Sequence, residues 1–147
     1  MDELIKLIDP NLVLERYEIS EDIINLYVRS GKPDLLCRFC NTSSVKVHSY
    51  YTRSFQDLPI QGKKTMIIIS NRKMFCNNPE CSHTTFAEQF DFLGHKAKKS
   101  NRLKDEIIRV SLKQSSVSAS EYLRKSVAEV KKSTICNYLK KIRDNNR

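Results

Sequence analysis

The sequence has 147 residues, a formal net charge of +9 and a pI of about 9.4, a balance that points to an anionic partner. This length allows one ordinary domain or two or three small ones. The longest apolar run spans only residues 66–69 and the N-terminus is acidic, which excludes a transmembrane span and a signal peptide. We therefore expect a cytoplasmic protein whose thiols stay reduced.

The charge is distributed unevenly along the chain. Residues 1–36 carry 4 basic and 8 acidic side chains, residues 37–95 carry 7 and 4, and residues 96–147 carry 15 and 5. The basic character therefore belongs to the C-terminal third. This asymmetry favours modules with different roles.

The N-terminal region predicts a short helix and a β-hairpin. Residues 3–8 favour a helix that ends before Pro10, because proline disfavours helix in the residue before it. The alternating runs at 12–19 and 23–28 predict two strands, and 20–22 suits the turn between them. Residues 30–33 then break the pattern.

Two strands are predicted in the middle of the chain, each beside a pair of cysteines. Residues 45–51 alternate as in a half-buried strand, and 65–70 form a strongly apolar one. Residues 55–60 contain Pro59 and predict a connecting loop. The strands thus flank two close cysteine pairs, one spaced C-x2-C and the other C-x4-C, which are Cys37 with Cys40 and Cys76 with Cys81.

These four cysteines predict a structural zinc site. A redox C-x-x-C would need a low-pKa cysteine at a helix N-terminus, whereas strand-like sequence follows Cys37. Two unrelated pairs of buried thiols are the other alternative. In a reduced compartment, paired cysteines flanked by strands favour Zn²⁺ bound by four thiolates, with no open position for a catalytic water.

The remaining histidines and the fifth cysteine are expected to lie outside the zinc site. His83 is the alternative ligand, because it follows Cys81 by two residues, but four thiolates already complete a tetrahedron. His48 is expected on a strand face and His95 near DNA. Cys136 falls inside a predicted helix, where a single cysteine is usually a small buried residue.

From residue 100 the hydrophobic period becomes helical. One helix is predicted at about 100–113 and a second short one up to Lys125, with Ser118 or Ser120 as its N-cap. After a turn at 127–130, a third helix at about 132–143 is expected to bury Ile135, Leu139 and Ile142. Residues 115–118 are expected to interrupt the helical pattern between the first two helices.

The last two helices have the lengths of a helix-turn-helix motif, whose second helix reads the major groove of DNA. A basic helix bundle without a role in DNA binding is the alternative. Lysines and arginines would neutralise phosphates, and polar side chains near the helix start would reach base edges. The predicted DNA-binding residues are Lys131, Lys132, Ser133, Thr134, Asn137, Lys140, Lys141 and Arg143.

Together these elements predict an α+β protein. A small β-rich zinc ribbon with an N-terminal β-hairpin precedes an all-α helix-turn-helix domain. The expected boundaries are 1–33 for the hairpin region, 34–95 for the zinc ribbon and 96–147 for the helix-turn-helix domain.

Several short runs, most of all C-N-N-P-E-C followed by T-F-A-E, also carry a family resemblance. These runs are Cys37–Cys40, Val45–Ser49, Tyr51–Arg53, Asp57–Ile60, Arg72–Cys81 and Thr85–Glu88. They resemble the N-terminal region of the ISL-three-type insertion-sequence transposases of bacteria. In that family a zinc-binding region precedes a helix-turn-helix, and an RNase-H-like catalytic domain with acidic metal ligands follows.

The resemblance implies a nucleoid-associated protein that binds double-stranded DNA at the terminal inverted repeats of an insertion sequence. Only Asp144 remains among acidic residues after the predicted motif, so we expect the chain not to be an enzyme of DNA recombination by itself. The alternative is a zinc-organised protein-interaction module for transposase self-association or regulation, as a homo-oligomer, which the acidic first 36 residues favour. An RNA-binding ribbon is less favoured, because Tyr50 and Tyr51 are the only adjacent aromatic pair.

Overall fold

The described chain consists of a short N-terminal helix, a five-stranded β-sheet, a second sheet of two short strands and a group of three C-terminal helices. The computed structural model describes residues 1–113 and 116–146. Of the interruption predicted at 115–118, Ser115 lies outside the described residues, and the prediction is wrong for 116–118, which begin a helix. The elements in chain order are α1 Asp2–Lys6, β1 Leu12–Ile19, β2 Ile23–Ser30, β3 Leu35–Leu36, β4 Ser43–Ser44, β5 Val47–Ile60, β6 Lys63–Phe75, β7 Thr85–Ala87, α2 Asn101–Ser111, α3 Ser116–Ser126 and α4 Lys132–Asn145. The mixed α+β class is confirmed.

The main sheet joins the N-terminal hairpin to the strands that lead to the cysteines. Its order is β1-β2-β6-β5, and β7 also pairs with β6. Three of the strand pairs are antiparallel, namely β1–β2, β5–β6 and β6–β7. The strands β2 and β6 run parallel. This parallel pairing, between Ile23–Arg29 and Lys64–Ser70, makes the hairpin part of the same sheet as the long β5–β6 hairpin.

The prediction of a connecting loop at residues 55–60 is wrong, because this segment is the last part of β5. Phe55 is fully buried, which holds the strand in the sheet. A register shift between Asp57 and Ile60 accommodates Pro59, which has no N–H to donate. The turn itself is Gln61-Gly62, with φ of 49° and 77°, the conformation that two-residue hairpin loops prefer.

One face of the sheet carries the first hydrophobic core. The period of two along the strands places alternate side chains inward, and helix α1 contributes Ile5. The fully or nearly fully buried members are Ile5, Leu12, Ile24, Leu26, Val28, Phe55, Ile67, Ile69 and Leu93. The apolar alternation is buried in β2 and β6, whereas in β1 only Leu12 is buried and Val13, Tyr17 and Ile19 are exposed.

The three C-terminal helices pack around a second core. Its buried members are Leu103, Ile107, Val110, Ala119, Leu123, Ala128, Val130 and Ile135. Leu139 and Ile142 of α4 are only partly buried. None of the described helices has the length and hydropathy needed to cross a bilayer.

The predicted N-cap of α3 is wrong. The helix begins at Ser116, so Ser118 and Ser120 lie inside it. Ser120 instead donates a hydrogen bond of 2.5 Å from its hydroxyl to the carbonyl oxygen of Val130. This bond ties α3 to the segment that leads into α4.

The helices are attached to the sheet through β5. The N–H of Gln56 donates to the carbonyl oxygen of Lys98, and the N–H of Ser100 donates to the carbonyl oxygen of Gln56, both at 2.9 Å. The segment before α2 thus pairs with β5 as a short parallel bridge. Leu58 of β5 packs against the helical core as well.

Candidate metal centre and nucleic-acid interface

The first cysteine pair lies on a tight turn between β3 and β4. The N–H of Cys37 donates to the carbonyl oxygen of Thr42 at 3.0 Å, and the N–H of Asn41 donates to that of Cys37 at 2.8 Å. Asn41 has a φ of 60°, a left-handed conformation that asparagine tolerates better than most residues. The N–H of Phe39 points at Cys37 Sγ at 3.4 Å. The turn therefore directs both sulfurs to one side.

The second pair follows β6 on a similar turn. The N–H of Cys76 donates to the carbonyl oxygen of Thr84 at 2.9 Å, and the N–H of Cys81 donates to that of Asn78 at 3.1 Å. The side chain of Asn78 accepts the N–H of Glu80 at 3.0 Å, an Asx turn that fixes the loop. The β5–β6 hairpin spans the long separation between the two pairs and brings them together.

The four sulfurs have the spacing of a zinc tetrahedron. All four lie within 4.8 Å of one another, with 3.5 Å between Cys40 Sγ and Cys76 Sγ and 3.9 Å between Cys37 Sγ and Cys81 Sγ. Zn–S bonds of about 2.3 Å in a regular tetrahedron place the sulfurs about 3.8 Å apart, whereas a disulfide needs about 2.05 Å. The residues therefore fit Zn²⁺, and the predicted structural zinc is confirmed.

The site is built into a small core of its own. Cys37 is fully buried, and the other three cysteines pack partly buried against Leu35, Met74 and Phe86. Four protein ligands would complete the coordination of zinc, so the bound ion would supply folding energy and offer no open position for a catalytic water.

The thiols of the metal-free site titrate differently. A hydrogen bond with the Thr42 side chain, helped by its backbone, lowers the pKa of Cys40 to about 6. For Cys76, the backbone N–H of Asn78 lowers the pKa, but burial and the neighbouring sulfurs outweigh it and raise the pKa to about 12. Cys40 thus favours the thiolate, whereas Cys76 keeps its proton at neutral pH unless a cation displaces it.

The side chain of the alternative ligand His83 contacts Phe39 and Ser82. Its ring stacks on Phe39 with a centroid distance of 3.5 Å and an angle of 7°, and Nδ1 lies 2.9 Å from Ser82 Oγ. Within the described chain, the group of clustered ligand atoms contains the four cysteines and not His83. His48 lies exposed on β5, and Cys136 is exposed on α4, contrary to the prediction of a buried cysteine.

Comparison with known families points to the same segment. Residues 36–81 match the family model described as the zinc-finger of transposase IS204/IS1001/IS1096/IS1165. The segment is similar to a transposase zinc ribbon. The match contains all four cysteines, covers just under a third of the chain, and does not reach the helices from Asn101 onward. No curated protein and no solved structure matches the chain.

The predicted DNA-binding residues lie on and just before α4, and most of them are exposed. Ile135 faces the helical core, and Ser133, Asn137 and Lys140, spaced i, i+4 and i+7, lie on the opposite face. Lys131, Lys132, Lys141 and Arg143 are exposed too, whereas Thr134 is partly buried. Lys131 is the N-cap without a side-chain hydrogen bond to the helix.

Sequence reasoning missed a basic cleft beside the sheet. It has a volume of about 560 Å³, and its cationic side chains are Arg38, Arg53, Lys96 and Lys98. These residues come from the first cysteine turn, β5 and the segment before α2, which are far apart in the sequence. The four-cysteine spacing indicates where the chain folds back, but no local pattern predicts that these three segments meet.

Proposed function

We propose that this chain is a DNA-binding part of a transposase and that it recognises terminal inverted repeats in double-stranded DNA. In this proposal α3 and α4 act as a helix-turn-helix, and α4 lies in the major groove. The similarity of residues 36–81 to a transposase zinc finger supports the class of protein.

The observation that carries the proposal is the outward face of α4. Ile135 anchors the helix in the core, and Ser133 and Asn137 project from the opposite face near the helix start, where recognition helices contact bases. Asparagine makes a bidentate pair with adenine in the major groove. Lysines on both flanks supply contacts to phosphates.

The zinc ribbon has a structural part in this function. Its four thiolates leave the ion no position for a reacting water, so the proposal assigns binding and no catalytic step to these residues. The ribbon holds β5 and β6 together at their far end, and β5 in turn holds the segment before α2.

The test is selection of bound duplexes from a random DNA pool by the zinc-loaded chain, followed by affinity measurements on the selected site. Asn137→Ala should weaken binding to that site on the order of 10- to 100-fold and relax the preference at one base pair. Asn145→Ala, the same substitution at the other end of α4, is the matched control and should leave affinity unchanged. Enrichment of no sequence, or equal effects of the two variants, contradicts the proposal.

The free edge of β1 favours a second candidate, self-association. Within the described residues β1 pairs only with β2, and Val13, Tyr17 and Ile19 are 37%, 52% and 57% exposed. An exposed apolar edge strand is a template for pairing with another chain, although Glu15 and Arg16 oppose indiscriminate pairing. The occupant we propose is β1 of a second copy.

Light scattering at increasing protein concentration tests self-association. A dimer that Ile19→Lys converts to a monomer supports it, with Leu112→Lys, which adds the same charge at an exposed apolar position away from the edge, as the control. A monomer at every concentration overturns it without affecting the DNA-binding proposal.

A further inference from the structure

A cleft lined by cationic side chains lies between the first cysteine turn, β5 and the segment before α2. None of its lining residues, all within the described part of the chain, is Asp or Glu. Arg38 is exposed between the two zinc ligands Cys37 and Cys40, so the fold of the zinc turn places its guanidinium at the cleft. The site thus combines a metal-ordered residue with residues of the sheet.

Backbone contacts hold the lysine-bearing segment in place. Arg53 donates from Nη2 to the carbonyl oxygen of Gly94 at 3.2 Å, and the N–H of Ala97 donates to the same residue's carbonyl oxygen at 3.1 Å. Pairing of Lys98 and Ser100 with Gln56 fixes the next residues. The lysines therefore project from an anchored backbone, which lowers the entropy lost when they bind a partner.

Lys96 occupies an unusual conformation at the mouth of this cleft. Its φ is 55°, a left-handed conformation that lysine rarely adopts and glycine adopts freely. Local strain of this kind concentrates at functional sites. The folded chain thus keeps a lysine at a position whose backbone conformation favours glycine.

A second, smaller cleft continues the first one toward α4. Its volume is about 280 Å³, and the two clefts share His95, Ala97 and Lys98. It extends to Lys104 of α2 and Lys141 of α4, and Lys104 Nζ lies 5.0 Å from the centre of the Tyr138 ring. Cationic side chains therefore line two adjoining clefts that together reach from the zinc turn to the flank of the helix proposed to contact bases.

We propose that this basic track binds the phosphate backbone of duplex DNA, next to the bases that α4 contacts. The track is defined by Arg38, Arg53, Lys96, Lys98, Lys104 and Lys141. The inference rests on the proposed DNA-binding function and adds a second contact, in which the zinc turn takes part directly. A polyanion with regularly spaced charges fits a track that runs from the zinc turn across β5 and the segment before α2 to α2 and α4. Arginine and lysine are the usual phosphate ligands.

The salt dependence of binding tests the proposal. The probe is a random-sequence DNA duplex, and the zinc-loaded full chain is compared with a Lys96→Gln/Lys98→Gln variant. Loss of two phosphate contacts should make the slope of log affinity against log salt shallower by about 2 and weaken binding to every duplex alike. The control variant Lys6→Gln/Lys64→Gln removes the same charge outside both clefts and should leave the slope unchanged.

Two single variants separate phosphate contact from stability. Lys96→Gly relieves the left-handed conformation, so its melting temperature should equal or exceed that of the wild type while duplex affinity falls. Arg38→Gln should reduce the salt slope by about 1 with the zinc content unchanged. A purely structural role of these residues predicts the opposite pattern, lower stability with an unchanged slope.

The outcomes distinguish this inference from the proposed function. Equal salt slopes for the double variant and its control overturn the basic track, even if α4 variants alter sequence preference. A shallower slope in a protein that shows no sequence preference supports the track and overturns end recognition. Tighter binding to single-stranded RNA than to duplex DNA at matched salt also overturns the track as proposed.

Discussion

The carboxylate of Asp57 accepts a hydrogen bond of 2.7 Å from the hydroxyl of Ser100, which joins the end of β5 to the N-cap of α2. The same hydroxyl oxygen accepts the N–H of Leu103 at 3.3 Å. Arg102 donates from Nε to Asp57 at 2.8 Å and pairs with its other oxygen. Asp57 is only 2% exposed, so one buried carboxylate attaches the start of α2 to the sheet.

Replacement of this carboxylate should loosen the attachment of the helices. We expect Asp57→Ala to lower the free energy of unfolding by about 1–3 kcal/mol, because the donors of Ser100 and Arg102 lose their acceptor. Urea denaturation of the zinc-loaded protein measures the change. Asp105→Ala, at an exposed position of α2, is the control and should change stability by less than about 0.5 kcal/mol. Equal effects of the two variants would contradict the role of Asp57.

Breaking the buried ion pair of Arg72 and Glu88 should lower the free energy of unfolding more than breaking an exposed ion pair. Arg72 binds both carboxylate oxygens at 3.0 and 3.1 Å, and the side chains are 13% and 1% exposed. Glu88→Ala leaves the guanidinium without its partner and should cost about 3 kcal/mol. Glu18→Ala breaks the exposed pair with Arg16 and should cost about 0.5 kcal/mol or less. Comparable losses in the same denaturation assay would refute this ranking.

Zinc content should follow the four clustered cysteines and not the fifth. We expect Cys76→Ser to abolish stoichiometric zinc binding and to unfold the turns of the ribbon, because three thiolates hold the ion far more weakly. Cys136→Ser, on the exposed surface of α4, should retain one zinc per chain. Elemental analysis with circular dichroism before and after chelation measures both. One zinc bound by the Cys76 variant with wild-type affinity would rule out the assignment.

Zinc affinity should increase with pH. In the metal-free site, burial and neighbouring sulfurs raise the pKa of Cys76 to about 12, so zinc must displace its proton at neutral pH. Cys40, whose pKa is about 6 because of Thr42, is mostly thiolate at pH 7 and binds a proton only in acid. Below pH 6, zinc must displace the proton of Cys40 as well. The slope of log affinity against pH should therefore be larger there by about 1. Competition with a chelating dye on either side of pH 6 measures it, and a pH-independent affinity would contradict it.

In the turn of the β5–β6 hairpin, the effect of backbone conformation on stability can be measured separately from the effect of packing. Gly62 has a φ of 77°, and a Cβ there would meet no atom within 4 Å. Gly62→Ala should therefore destabilise the protein by about 1 kcal/mol through conformational strain alone. Gly94→Ala, with an ordinary contact at 3.6 Å and no left-handed φ, is the control. A stability loss in the control that equals the loss in Gly62→Ala would contradict this explanation.

Local patterns predicted most elements of this fold and the whole metal site. Alternation located β1, β2 and β6, and the helical period located α2 and α4. The paired cysteines were enough to predict zinc, because the ligand chemistry itself requires them to meet. The loop prediction for residues 55–60 failed because Pro59 was taken as a break, whereas the burial of Phe55 and a register shift keep the strand in the sheet.

The long-range polar contacts could not be predicted from local patterns. Asp57, Arg72 and Glu88 belong to the short runs that resemble the transposase family, and in the structure all three form ion pairs. Their sequence neighbours give no sign of this, since each partner comes from a different element. The basic track could not be predicted for the same reason, because its residues meet only when the sheet, the zinc turn, the segment before α2 and the helices α2 and α4 are assembled.

The parallel pairing of β2 with β6 sets an order for folding during synthesis. Ile24 pairs with Thr65 and Val28 with Ile69. The strand β2 therefore cannot complete its pairing until β6 has been synthesised. Contacts between residues so far apart in the sequence form slowly, because the entropy of closing the long loop is lost before the contacts stabilise the chain. Until Cys81 has left the ribosome, the first cysteine pair also lacks its partners, and the apolar side of the N-terminal hairpin stays open to aggregation. The yield of folded protein should therefore depend on zinc supply and chaperones during translation.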